Sequence, residues 1–214
     1  SLVRIGPRND GGYVIVKDVE YDLYLSCGLA GNTQFDNTIL NMCPDIPAYG
    51  FDGYIDKLPS GTNRRLNFIK KNISDIDDEN NSTLKEYLTS YNNILLQMDI
   101  EGGEFKWLNC ISKENMSKIS QILLEVHWPF DNFRFNALKK INDTHYLVHI
   151  HGNNYCNRDF PGKDIGRSYD GTISINNPNL TPIFLPEVME LTYIRKDLVN
   201  RIEKINYNFP RNFD

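Results

Sequence analysis

The residues in this chain best suited to chemistry stand at the ends of apolar runs. Asn93-Ile94-Leu95-Leu96-Gln97-Met98 has the character of a buried strand, and it runs into Asp99-Ile100-Glu101-Gly102-Gly103-Glu104. Asp99 and Glu101 alternate about Ile100, so a strand continuing through Ile100 projects both carboxylates from one face. That face opens on the crevice where open α/β sheets bind ligands. Two acids in one crevice repel each other unless a cation, a ligand ammonium or a proton relieves them. The pair is therefore suited to holding positive charge or removing a proton. The bland alternative is that one acid caps the helix after Gly102-Gly103 while the other faces solvent.

Glu125-Val126-His127 repeats the pattern on a later apolar run. If the two strands are neighbours, Asp99, Glu125 and His127 form an oxygen and nitrogen set for a divalent ion such as Mg or Mn. Glu101 is then left to take a proton from a substrate hydroxyl, although a single histidine at a strand end is more often a hydrogen-bonded structural group. His149-Ile150-His151 also projects two imidazoles from one face at a metal-ligand spacing. Leu147 shares that face by alternation, so one of the two is expected to pack. His151, with Asn153 and Asn154 beyond it, suits the crevice rim and contact with sugar-like hydroxyls.

A second set of residues points to a nucleoside cofactor. Leu23-Tyr24-Leu25-Ser26-Cys27-Gly28-Leu29-Ala30-Gly31 is a strand running into a glycine turn, where missing side chains let backbone amides approach a ligand. Asp52 closes the next apolar run, Tyr49-Gly50-Phe51, where one carboxylate can take both hydroxyls of a ribose. The glycine turn alone is weak, and a ligand-free tight turn explains it equally well; the pairing with Asp52 gives it weight. Near the N-terminus, Asn9-Asp10-Gly11-Gly12 between apolar runs predicts a hairpin turn, with a loop touching the cofactor as the sharper alternative.

The elements that must position these residues follow from periodicity. Strands are expected at 21–26, 48–51, 66–73, 94–100, 119–126 and 146–151, separated by helices. The first helix is 33–43, stopped by Pro44, and the next is capped by Ser82 and runs through Leu88. A third carries Phe105, Leu108 and Ile111, and a fourth is capped by Asp131 and carries Phe133, Ala137 and Ile141. This rhythm predicts right-handed crossovers, a mainly parallel sheet and helices on both faces. The runs 171–176 and 188–195 have no helix between them and predict antiparallel pairing at one sheet edge.

In this order the segments resemble the FkbM-like class I methyltransferases that use S-adenosylmethionine, in the branch opening with R-x-G and D-G-G-[YW]. The matching residues are Arg4, Gly6, Asp10-Gly11-Gly12-Tyr13, Ser26-Cys27-Gly28, Phe35-Asp36, Asp52, Met98-Asp99-Ile100-Glu101-Gly102, Glu104, Glu125-Val126-His127 and Pro186 to Tyr193. They span nearly the whole chain. The resemblance implies a Rossmann-like α/β fold with an antiparallel C-terminal strand. It also implies that Ser26, Gly28 and Gly31 line the methionine end of the cofactor, that Asp52 holds its ribose, and that the Asp99/Glu101 region faces the methyl acceptor. Cys27 stands where most class I methyltransferases carry an acid, so the cofactor ammonium falls to Asp10, Asp36 or a carbonyl, with Gly12 in the same loop. An O-methyltransferase acting on a sugar or glycan is implied, with Glu101 or His127 as base. Two competitors stand beside it: a metal-dependent nucleotide-sugar glycosyltransferase that uses Asp99-Ile100-Glu101 on a diphosphate, and a non-catalytic glycan-binding module on the same fold.

Bulk composition limits the alternatives. With 214 residues and 40% hydrophobic content the chain can bury one generous core, so a single domain over 1–214 is expected. A formal charge of -5, with its 23 basic residues scattered, argues against a nucleic-acid binder. No apolar run approaches the roughly 20 residues needed to cross a bilayer. Cys27, Cys43, Cys110 and Cys156 lack metal or dithiol spacing and are expected as free thiols in the cytoplasm. Ser1 in place of Met fits a domain excised from a longer protein, one fused to other glycan-modifying domains.

Overall fold

Apolar runs bounded by glycine, proline or polar turns form the strands, and amphipathic stretches between them form the helices. The protein is described here from a computed structural model covering residues 1–7, 11–127, 131–153, 165–167, 172–175, 183–186 and 188–200. In chain order the strands are β1 (Leu2–Ile5), β2 (Tyr13–Val16), β3 (Leu23–Cys27), β4 (Ala48–Phe51), β5 (Leu66–Ile69), β6 (Asn72–Ile73), β7 (Asn81–Ser82), β8 (Ile94–Met98), β9 (Ile119–His127), β10 (His145–Asn153), β11 (Ile165–Arg167), β12 (Thr172–Ile175), β13 (Ile183–Pro186) and β14 (Val188–Arg195). The helices are α1 (Gln34–Met42), α2 (Lys85–Ser90), α3 (Glu104–Cys110), α4 (Lys113–Met116) and α5 (Asn132–Ile141).

Seven strands form the central sheet in the order β10-β14-β9-β8-β3-β4-β5. All neighbours from β9 to β5 run parallel, and β14 is antiparallel to both β9 and β10. The architecture is thus a mixed α/β fold with a mostly parallel sheet flanked by helices, compatible with a Rossmann-like fold. One face packs Leu25, Leu96, Ile122, Leu124 and Leu191 against α2, α3, α4 and α5. The other packs Tyr24, Leu95 and Leu123 against Phe35, Ile39 and Leu40 of α1 and against Tyr13 and Ile15 of the β1–β2 hairpin. The hairpin is fastened there by polar bonds. Gln121 accepts from Val16 N at 2.6 Å, and Thr192 Oγ1 donates to Val14 O at 2.5 Å.

Several expectations are corrected, and the run 66–73 is divided between β5 and β6, which lie in different sheets. The runs 171–176 and 188–195 do not pair with each other. β12 lies in a separate three-stranded sheet with β11 and β13, while β14 is inserted between β9 and β10. Ser82 does not cap α2, because it belongs to the short parallel pair β6–β7 and its hydroxyl accepts from Leu84 N at 3.1 Å; the helix starts after Leu84 in a left-handed conformation. Leu147 does not share a face with His149. A register irregularity between them places Leu147 opposite Tyr193 and His149 opposite Thr192, reversing the alternation. Asp131 does cap α5, accepting from Arg134 N at 2.8 Å, but the helix buries Ala137 and Ile141 while Phe133 stays exposed.

His145 ties the start of β10 to the start of β9. With Nε2 as the donor it bonds Ile119 O at 2.8 Å, and Nδ1 lies 2.7 Å from Thr144 Oγ1. Burial lowers its pKa to about 4, against the bond to Ile119 O and with help from the nearby Arg195 charge. An unfolded histidine titrates near 6.5, so between the two values the native state binds fewer protons than the unfolded chain. The stabilisation is therefore complete above pH 6.5 and is lost as pH falls through 4, to a total of about 3 kcal/mol. Urea midpoints at pH 7 and pH 4.5 should separate more in the wild type than in His145→Gln. Equal separations would show that His145 does not carry this slope.

Candidate functional site

The strand order reverses between β3 and β8: the chain builds outward from β3 to β5, then returns to β8 on the other side. The crevice beyond the carboxyl ends at such a point is the general ligand position of open α/β sheets. Here those ends meet closely. Gly28 has φ +87, and a Cβ on it would lie 1.7 Å from Asp99 O; Asp99 N donates to Cys27 O at 2.9 Å. The missing side chain of Gly28 thus admits the neighbouring strand's backbone. A Cβ on Gly31 would meet nothing within 4 Å, so that residue borders open space.

Most of the residues expected around a cofactor are engaged inside the protein. Asp52 accepts four backbone amides: Leu29 N at 3.2 Å and Ala30 N at 2.9 Å on Oδ2, Tyr54 N at 2.8 Å and Ile55 N at 3.2 Å on Oδ1. These fill the roughly four lone-pair sites of a carboxylate, and a ribose would have to displace some of them. Ser26 Oγ donates to Gln97 Oε1 at 2.9 Å in the buried sheet. Asp36, also buried, accepts from Tyr24 OH at 2.8 Å; burial pushes its carboxyl above the usual range against that bond. Gly12 lies against Pro7 O, 2.2 Å from where a Cβ would stand. Asp10 and Asn154 lie outside the described residues, as does the side chain of Asn153.

The acids and the imidazole do come together, by a different route from strand alternation. β8 ends at Met98, so Asp99 and Glu101 lie on a turn in which Glu101 has φ +57 and Gly102 has φ +96. The turn is closed by Glu104, whose Oε1 accepts from Ile100 N at 3.3 Å and Gly102 N at 3.2 Å. This brings one ligand atom each from Asp99, Glu101 and His127 within 4.8 Å of one another. His127 Nε2 lies 3.6 Å from both Glu101 Oε2 and Glu125 Oε1, and Nδ1 lies 3.3 Å from Glu104 Oε1. Among the described residues, the set close enough to share one cation contains Glu101, expected as the base, while Glu125, expected as a ligand, stands at its edge.

Burial draws the His127 pKa down, but the bond to Glu104 and the charges of Glu104, Asp99 and Glu125 outweigh it and raise the value to about 9. Register extends the polar row across the sheet. Leu124 pairs with Met98, which sets Glu125 level with Asp99; Glu125 lies opposite Glu190, and Glu190 opposite His151. His149 is buried and its ring stacks on that of His151, with centroids 6.5 Å apart.

Sequence reasoning gave no role to several of these residues. Arg4 Nη1 lies 3.5 Å from Glu190 Oε2. Tyr13, on the buried side of the hairpin, accepts from Gln97 Nε2 at 3.3 Å, and burial and the charges of Asp99, Glu125 and Glu190 hold its phenol well above the usual range. Glu104 was placed by its motif but not by its contacts. A charged residue among the core residues Phe105, Trp107 and Leu108 was the available signal.

The two glycines of the turn should behave oppositely. Gly28→Ala combines a left-handed backbone with a clash onto Asp99 O and should destabilise the protein by about 3 kcal/mol or more, whereas Gly31→Ala should fall within about 0.5 kcal/mol of wild type. Asp52→Ala leaves the buried amide of Leu29 and three partly buried amides without their acceptor and should cost about 2 kcal/mol. Chemical denaturation of the three variants measures all of this, and a benign Gly28→Ala would refute the backbone contact. Comparison with protein-family models and with curated proteins gives no match to this chain.

Proposed function

We propose that the chain is an S-adenosylmethionine-dependent O-methyltransferase acting on a hydroxyl of a sugar or glycan, assisted by a divalent cation. The observation that carries this reading is the gathering of Asp99, Glu101 and His127 at the carboxyl ends of β8 and β9, beside the point where the strand order reverses. A sheet whose C-terminal strand β14 alone runs antiparallel agrees with the class I methyltransferase resemblance.

The donor set fits a divalent ion, since two carboxylates and an imidazole offer the oxygen and nitrogen ligands taken by Mn or Zn. The fit to the nucleoside is narrower. Gly31 leaves room at the glycine turn, but the ribose contact assigned to Asp52 competes with four amides, so the cofactor has to lean on the backbone of the turn. Bound S-adenosylmethionine supplies an already activated methyl group, which leaves the protein alignment, exclusion of water and proton removal. Glu101 is suited to the last of these, its side chain 70% exposed while those of Glu104 and Glu125 are buried. One of its oxygens can serve a cation and the other can receive the hydroxyl proton.

The glycosyltransferase reading accounts for the acids but not for the glycine turn paired with Asp52, and it gains from the engagement of Asp52 by four amides, which gives that pairing a structural reason. Thermal-shift measurements separate the readings. S-adenosylhomocysteine should raise the melting temperature, whereas a shift with nucleotide sugar plus Mn alone would favour glycosyl transfer, and no shift with either would favour a binding module. Glu101→Gln should keep the S-adenosylhomocysteine shift while methyl transfer to glycans, followed by mass spectrometry with labelled cofactor, falls about 100-fold or more. Undiminished transfer would remove Glu101 as proton acceptor.

A further inference from the structure

Glu104 is fully buried in the first turn of α3. An acid serving only the helix dipole does so from the surface, and a carboxylate withdrawn from water is costly unless its oxygens are bonded. Oε1 has three polar neighbours: the amides of Ile100 and Gly102, and Nδ1 of His127. Oε2 is buried without a hydrogen-bond partner. Helix capping and turn closure therefore account for half of this carboxylate and leave the other half uncompensated.

The neighbour at 3.3 Å supplies a reason. A carboxylate oxygen only accepts, so the imidazole nitrogen facing it keeps a proton, and when a cation displaces the other proton to solvent the lone pair that binds it belongs to Nε2. Nε2 is the nitrogen turned toward Glu101 Oε2 and Glu125 Oε1, 3.6 Å from each. An imidazole whose outer N–H is held by a carboxylate while the inner nitrogen faces other donors is the standard outer-shell arrangement of histidine metal ligands. Donors bound at about 2.1 Å to a common cation stand about 3.0 to 3.4 Å apart, so the His127–Glu101 pair at 3.6 Å needs to close by only a few tenths of an ångström, while the three-atom set, gathered within 4.8 Å, has to contract further around the ion. A divalent cation would also offset the buried negative charge that Oε2 leaves without a partner.

We propose that Glu104 is a positioning residue: by accepting the Nδ1–H of His127 it directs Nε2 onto a divalent cation shared with Asp99 and Glu101. This deepens the functional reading above and rests on it for the purpose of the cation, but cation binding is tested with neither donor nor acceptor present.

The probe is Zn2+ alone, titrated calorimetrically into the full chain. Asp99→Asn and His127→Ala should abolish the binding event. Glu104→Gln keeps a weaker acceptor and should lower affinity about 10-fold, and Glu104→Leu removes the acceptor and should lower it about 100-fold. Long-range 15N–1H spectra of the Zn2+-loaded wild type should show Nε2 of His127 coordinated and Nδ1 protonated, a signature that a merely structural Glu104 would not produce. Unchanged affinity in a folded Glu104→Gln variant overturns the proposal, as does coordination through Nδ1 or Zn2+ binding indifferent to His127→Ala. If the Glu104 variants fail to fold, the wild-type spectra decide. Zn2+ binding at this site without a shift from S-adenosylhomocysteine would sink the methyltransferase reading alone, and the reverse result would sink this inference together with the cation's part in that reading while leaving methyl transfer standing.

Discussion

The contact between the backbones of Gly28 and Asp99 is the constraint on which the rest of the site depends. Any side chain on Gly28 would occupy the space of Asp99 O, so the carboxyl ends of β3 and β8 can approach only because that residue is glycine in a left-handed conformation. Hydrogen bonds surround the contact. Asp99 N bonds Cys27 O, Gly28 N bonds Phe51 O, and Asp52 gathers Leu29 N and Ala30 N. Three strand ends are locked at one place. The direction in which Asp99 leaves the sheet is fixed there, and with it the distance to His127 on β9. The acid at the end of β4, expected to hold a ligand, is spent on this lock.

Position along the strands separates core from chemistry. One face of the sheet is apolar over its length and lies under four helices. The other changes character: Tyr24, Leu95 and Leu123 are covered by α1 and the hairpin, and toward the carboxyl ends the same face carries Ser26 and Gln97, then Asp99, Glu125, Glu190 and His151. Polar groups withdrawn from water need partners, and the first layer is satisfied from within, Ser26 to Gln97 and Gln97 to Tyr13. The hairpin thus does more than cover the sheet. It brings Tyr13 and Arg4 up to the acids, which links the N-terminal segment to the site at the far end of β8 and β9.

What could be read in advance was what local pattern determines. β4 and β14 fall at 48–51 and 188–195 as expected because each is an apolar run with turn residues on both sides, and Asp131 is a cap because one side chain and one amide suffice to make it so. Ser82 was misassigned because it pairs with Asn72–Ile73 through the backbone, which the side-chain pattern of so short a strand does not report. The place of β14 inside the sheet is likewise a matter of pairing order, and its nearly continuous burial was hidden because Glu190 and Thr192 interrupt the apolar run. At the site, residue types were legible and geometry was not. Asp99, Glu101 and His127 were all named, but their convergence depends on a turn whose left-handed residues no alternation rule describes.

That turn carries Glu101 in an unfavourable conformation. A side chain at φ +57 is disfavoured by about 1 to 2 kcal/mol, and glycine would relieve it, as it does at the next residue. Conformation alone argues against a large residue here, so the carboxylate is held in this turn at a cost that something else has to offset. The compensation comes from Glu104, which accepts the amides on both sides of Glu101. The oxygen that stabilises this unfavourable turn is also the one facing His127 Nδ1. A single buried acid therefore organises both halves of the cluster, the exposed carboxylate on the turn and the imidazole on the strand. A change at Glu104 is felt at both.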